Sequence, residues 1–172
     1  MRYHIKQRAW SLTGNFDVRD EANNPVFEVR GKFLSAGDDL TMIDRSSGQK
    51  LVHIKQRVLS FFPKYNLYNG KDEHWGSVTQ GFSLFGERFK VIGNNGAAFT
   101  IKGNVSNWRF SINDQNGNAL GQVSQQLSLF RDSYAVDVVA GIDPSFIIAL
   151  AVILERVKEK KRRAASISAM GG

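Results

Sequence analysis

A chain of 172 residues has room for one domain with a full hydrophobic core and little room for a second. Its 42% hydrophobic and 23% charged residues exclude wholesale disorder, and the lack of cysteine excludes disulfides, cysteine-ligated zinc and thiol chemistry. The net charge of +7 is concentrated in ERVKEKKRR at positions 155–163, with six basic and two acidic residues, which argues against a basic stripe for nucleic acid across the whole fold.

In chain order, the opening MRYHIKQR has no apolar core of a secretory signal, so a soluble, cytoplasmic protein is expected. HIKQR at 4–8 recurs letter for letter at 53–57, and VSQQL at 123–127 is a weaker third copy. Four segments share one pattern of alternating apolar residues, a polar turn, and alternation again: positions 16–29, 41–54, 89–101 and 110–123. Asn95-Gly96 and Asn116-Gly117 suit tight hairpin turns, because both residue types tolerate positive φ. VFEVRG at 26–31 matches AFTIKG at 98–103 in spacing, so the hairpins fall into two similar halves. Further strands are expected over 58–62, 65–68, 127–130 and 134–138, giving about twelve between residues 2 and 140. Positions 69–86 read as the longest turn-like connection, joining the halves.

Asp143-Pro144-Ser145 then opens a helix. Asp143 can accept from the first-turn N–H groups, and proline is harmless at the first helical position. The following FIIALAVIL, 146–154, has no polar face. Nine residues rise about 14 Å, and a bilayer core needs about 20 residues, so no transmembrane segment is expected and protein must surround this helix. The solution is a closed antiparallel barrel, mainly β, with a central hydrophobic helix threaded through it. The whole chain, 1–172, is expected to be one domain: a helix over 144–163 whose ERVKEKKRR turns emerge into water, then a flexible tail over 164–172.

The repeated KQR element, the strand DSYAVDV at 132–138 and GIDPSFIIALAVIL at 141–154 together resemble the LURP-one-related family, over residues 2 to about 158. The resemblance implies a tubby C-terminal-like fold, a twelve-stranded barrel around a central helix shared with phospholipid scramblases, in a compact bacterial or archaeal version. Relatives of that fold bind phosphoinositides or other anionic lipids, act as membrane-tethered regulators, or take part in lipid scrambling and plant defence. The resemblance therefore fixes the fold more tightly than the function.

No catalytic constellation stands out. His4, His53 and His74 lack metal-ligand spacing, and the first two occupy equivalent places in a repeated strand, which implies a structural role. Asp72-Glu73-His74 reads as a solvated loop, no GxSxG occurs, and Gly93-Asn-Asn-Gly96 reads as a turn rather than a phosphate loop. No catalytic residue, metal or cofactor is expected. The candidate ligand-binding residues are cations. Alternation puts Lys6, Arg8, Lys55 and Arg57 on the outside as paired rows, and the helix end adds Lys158, Lys160, Lys161, Arg162 and Arg163. Such groups can hold headgroup phosphates, with arginine as a bidentate fork, or can simply keep a strand face and a helix end in water. Trp10, Trp75 and Trp108 sit singly, without an RNA-stacking motif. The expectation is a non-catalytic binding or scaffold module, peripheral at a membrane, with anionic phospholipid or a phosphorylated ligand as first partner. The alternative is a protein-interaction or regulatory module, and a nucleic-acid partner ranks last.

Overall fold

Twelve strands form the body of the molecule: β1 (Arg2–Gln7), β2 (Phe16–Asp20), β3 (Pro25–Gly31), β4 (Asp39–Asp44), β5 (Lys50–Gln56), β6 (Lys64–Asn69), β7 (His74–Gly81), β8 (Glu87–Gly93), β9 (Ala98–Asn104), β10 (Arg109–Asp114), β11 (Ala119–Gln125) and β12 (Ser133–Val138). The computed structural model describes residues 1–8, 14–84, 86–104, 107–125 and 133–171. Every strand pairs antiparallel with its sequence neighbours, and β1 pairs with β12 to close the barrel. α1 (Pro144–Met170) runs through it. The end at which α1 enters is called the entry end, and the opposite end the exit end.

The four hairpins read from the sequence are β2–β3, β4–β5, β8–β9 and β10–β11. In three of them the last residue of the first strand accepts local hydrogen bonds that hold the entry-end turn, and in β8–β9 Asn95 within the turn accepts from the Ala97 amide. Asp20 accepts from the Asn24 amide at 2.8 Å, and Asp114 accepts from the amides of Asn116 and Asn118. Asp44 accepts from the amides and hydroxyls of Ser46 and Ser47. These bonds to its charged form hold the Asp44 carboxyl at about 2. Asn69 plays the same part for Lys71 and Glu73.

Alternation sends one face of each strand inward. Val18, Leu40, Met42, Val52, Ile54, Leu67, Val91, Ile101 and Ile112 meet Ile147, Ile148, Leu150, Val152 and Ile153 of α1, all fully buried. This is the apolar filling that a barrel of this size needs. Gly121 on β11 gives α1 its room, because a Cβ there would lie 2.9 Å from Ile147 and 2.8 Å from the Asp137 carbonyl. Asp143 caps α1 by accepting from the Ser145 amide at 2.9 Å and its hydroxyl at 2.7 Å.

Three expectations need correction. Positions 58–62 are not a strand. The Arg57 amide donates to the Lys64 carbonyl at 2.8 Å and ends the β5–β6 ladder, so Val58, Leu59, Phe61 and Phe62 loop out beyond it towards Pro63. Positions 69–86 are not one long connection, because β7 lies within them. Gly76, Val78 and Gln80 face inward there, and Gly76 is needed because a Cβ would lie 2.7 Å from the Ile92 carbonyl. The helix does not give way to a tail at 164. It continues to Met170, helped by Ala164 and Ala165, the best helix formers, and by the Glu159–Arg163 ion pair one turn apart. The strand expected over 127–130, Asp132 of the family segment, and Trp10 lie outside the described residues.

Candidate functional site

The exit end is where charge enters the core. Asp38, just before β4, is almost fully buried. It accepts from Arg156 Nε at 2.9 Å and Nη2 at 2.8 Å, and from the Tyr65 hydroxyl at 2.8 Å, with Lys160 Nζ 2.8 Å away. Arg156 also pairs with buried Glu159, which in turn pairs with Arg163. Burial works against the charged Asp38, but the Arg156 charge and the bonds from Lys160 and Arg156 outweigh it and hold the carboxyl below its ordinary range. Burial likewise opposes charge on Arg156, and Asp38 and Glu159 overcome it and raise the guanidinium. Burial pushes the Tyr65 phenol up, and Asp38 adds to that. The first turns of ERVKEKKRR are thus not in water. Glu155, Arg156, Val157 and Glu159 are buried in the barrel mouth, held there by Asp38 and their own i,i+3 and i,i+4 partners.

This network takes up several candidate cations. Lys158 donates to the Tyr134 hydroxyl at 2.9 Å and lies 4.3 Å from the Trp108 ring centroid, a cation–π contact. Lys160 is held by Asp38 and Gln56, Lys161 by Glu87 at 2.5 Å, and Arg163 by Glu159. Arg162 is exposed. The two HIKQR copies do not form paired rows, because they occupy β1 and β5, which β2, β3 and β4 separate. Arg8 makes a bidentate pair with Asp17, at 2.7 and 3.0 Å, and reaches Glu28 at 3.3 Å. Arg45 and Arg30 close over the same carboxylates, and Lys6 lies opposite Asp17 in the β1–β2 register. The β1–β4 flank is therefore self-neutralised. Lys55 and Arg57, by contrast, are exposed and make no side-chain hydrogen bond or ion pair among the described residues.

They have company that the sequence reading missed. Phe89, Val91, Ile101 and Phe110 point inward, so Arg88 and Lys90 on β8, Lys102 on β9 and Arg109 on β10 point outward. All four are exposed, with no ion pair among the described residues. Arg88 lies directly opposite Lys102, Lys90 opposite Thr100, and Lys102 opposite Ser111. Directly opposed like charges destabilise a sheet. No acidic residue occupies an outward position on β7 to β9, and Thr79, across from Lys90, links the patch to Lys64 on β6. The missing signal was register. Once Asn95-Gly96 fixes the β8–β9 turn, RFKVIG and AFTIKG bring their cations side by side.

The entry end holds a cleft of about 710 Å³ with Trp75, Phe99 and Phe146 on its floor and Asn69, Glu73, His74 and Asp143 at its rim. The carboxylates nearby are occupied: Glu73 accepts from Asn69, Asp72 pairs with Lys50 at 2.5 Å, and Asp143 caps α1. His53 is 2.8 Å from Asp39. Among the described residues no three His, Asp or Glu side chains converge as a metal site. Among the described residues no helix is long and apolar enough to cross a membrane.

Residues 1–155, the barrel and the apolar first part of α1, match the LURP-one-related (LOR) family model. The chain belongs to the LURP-one-related family. It is 30% identical over 153 residues to the uncharacterized protein YxjI of Bacillus subtilis (strain 168), covering 89% of this chain and 91% of that protein. Among solved structures it is similar to the X-ray structure of the Arabidopsis thaliana protein AT5G01750, with a TM-score of 0.68, 18% identity and 91% of each chain covered. At that identity the likeness speaks for the LURP-one-related fold alone.

Proposed function

We propose that this LURP-one-related chain is a non-catalytic binding module whose ligand is the phosphate layer of an anionic phospholipid surface. The observation that carries the reading is the unpaired outward patch of Arg88, Lys90, Lys102 and Arg109, with Arg88 facing Lys102 and hydroxyl-bearing Thr100 and Ser111 between them. Like charges placed in register are costly to the fold and become favourable when an anion bridges them. Arginine and lysine on adjacent strands suit several phosphates spread over a surface. At an anionic membrane each nearby cation contributes about 1 kcal/mol, so four contribute about 4 kcal/mol, close to a thousandfold in partitioning.

Flotation of the full chain with phosphatidylserine-containing and with purely phosphatidylcholine vesicles at low salt tests this reading. Binding to the first and not the second is expected. The quadruple variant Arg88→Gln, Lys90→Gln, Lys102→Gln, Arg109→Gln should lose most of it while melting no lower than the parent, since the change removes repulsion. An absence of binding to the anionic vesicles at low salt would refute it.

A further inference from the structure

The exit end carries a second feature that the fold does not use. Phe33 and Leu34 in the β3–β4 connection, Leu59 and Phe61 in β5–β6, and Phe82 and Leu84 in β7–β8 are all more than two-thirds exposed, with Leu59 and Phe61 essentially fully in solvent. Single exposed apolar residues are ordinary, but tips gathered on three consecutive connections of one end are not. The entry-end turns at 21–24, 45–49, 70–73, 94–97 and 115–118 contain no large apolar residue. Leu34 also sits at φ 59, a left-handed conformation that leucine rarely adopts, and holds its side chain out of the barrel. The sequence repeats the theme of apolar residues around a serine: Phe33-Leu34-Ser35, Leu59-Ser60-Phe61 and Phe82-Ser83-Leu84. It recurs at Trp10-Ser11-Leu12, between β1 and β2, and at Leu127-Ser128-Leu129, between β11 and β12, both outside the described residues.

Unpaired cations stand directly behind these tips. Arg57 precedes Val58 and Leu59, Lys64 follows Phe61, Phe62 and Pro63, and Arg88 is the second residue of β8, the strand after Phe82 and Leu84. Where α1 leaves the same end, exposed Ile167 and Met170 follow Lys161, Arg162 and Arg163. Apolar tips outermost with cations one layer behind reproduce the depth order of an anionic bilayer, hydrocarbon beneath phosphate.

We propose that the chain docks exit end first on an anionic bilayer, with the tips of the β3–β4, β5–β6 and β7–β8 connections inserted among the acyl chains and the β5–β10 cations at the phosphates. The proposal rests on the anionic-lipid reading above and adds orientation and penetration to it.

The chain has no cysteine, so one introduced at Leu59 (L59C) carries a single environment-sensitive label, and one at Ser47 (S47C) in the β4–β5 turn is the entry-end control. With phosphatidylserine-containing vesicles the label at 59 should shift to the blue and be quenched by nitroxides on the acyl chain, while the label at 47 should not respond. The double variant Leu59→Ser, Phe61→Ser should melt like the parent and bind these vesicles about a hundredfold more weakly, roughly tenfold per buried side chain. If the parent binds but the label at 59 stays in water and the serine variant binds equally well, insertion is overturned and surface charge binding stands. If the parent does not bind at all, both readings fall. If the serine substitutions instead abolish a concentration-dependent dimer in sedimentation and leave vesicle binding unchanged, the tips are a protein contact and insertion is overturned.

Discussion

The two ends of the barrel solve the same problem, joining antiparallel strands, in opposite ways. At the entry end the chain uses four- or five-residue turns, most of them fastened by an aspartate or asparagine, and exposes polar groups. At the exit end the described residues of the connections at 32–38, 57–63 and 82–84 project leucine and phenylalanine into solvent around a mouth sealed by buried charges. Strand connection alone explains the first end. It does not explain the second, because nothing about closing a twelve-stranded barrel needs Leu59 or Phe61 in water. The difference teaches that the large apolar side chains on the exit-end connections lie outside the packed core that closes the barrel.

The largest effect should come from the element both ends share. Leu150→Asp places an unpaired charge at the centre of α1, where Leu150 is fully buried. Stranding a charge in such surroundings costs about 3–5 kcal/mol or more, a large part of the roughly 5–15 kcal/mol that holds a domain together. The expected outcome is insoluble or unfolded protein, with the sheet signal lost from circular dichroism. A soluble, normally melting variant would mean that the helix is not the barrel's core.

Arg156→Met breaks only the exit-end seal. It leaves Asp38 and Glu159 buried without their main partner, and urea denaturation at neutral pH should show a loss of about 3–5 kcal/mol. The pH dependence follows from the direction of the Asp38 shift. In the parent this carboxyl titrates below its ordinary 3.8, so its stabilisation is complete above that value and is lost as the pH falls through the lower folded value. Removing Arg156 takes away the charge that held it down, so the gap between parent and variant should narrow in acid. A gap that widened in acid would mean that the pair does not hold the mouth.

The fold was legible because its signals are local. Hairpin turns, alternation and an apolar run too short for a bilayer each speak within a dozen residues, and together they yield the closed barrel. The site was less legible because it depends on register and on which connections share an end. HIKQR looked like the cationic site because it is repeated, yet in one copy Arg8 is neutralised by Asp17, which lies apart from it in sequence, and in the other Lys55 and Arg57 are exposed while His53 is held by Asp39. ERVKEKKRR looked like a solvated tail, yet Asp38, more than a hundred residues upstream, draws Arg156 and Lys160 into the mouth. Arg88, Lys90, Lys102 and Arg109 are unremarkable singly and become a patch only when β8, β9 and β10 lie side by side. Val58 to Phe62 looked like a strand because apolar residues usually pack, and here they do not.

The smallest effect sharpens the contrast between the ends. Asp44→Ala removes four hydrogen bonds from one exposed entry-end turn, and the melting temperature should fall slightly, well short of the change in Arg156→Met. Because Asp44 titrates near 2, its contribution is complete above the ordinary 3.8 and is lost as the pH falls through about 2, so parent and variant should converge below that point. The paired measurement is Leu59→Ser at the other end, where no change in melting is expected at any pH because the side chain touches nothing that folding buries. Were Leu59→Ser to lower the melting temperature more than Asp44→Ala, the apolar tips would be part of the barrel's own stability. The asymmetry between the ends would then be one of packing and not of use.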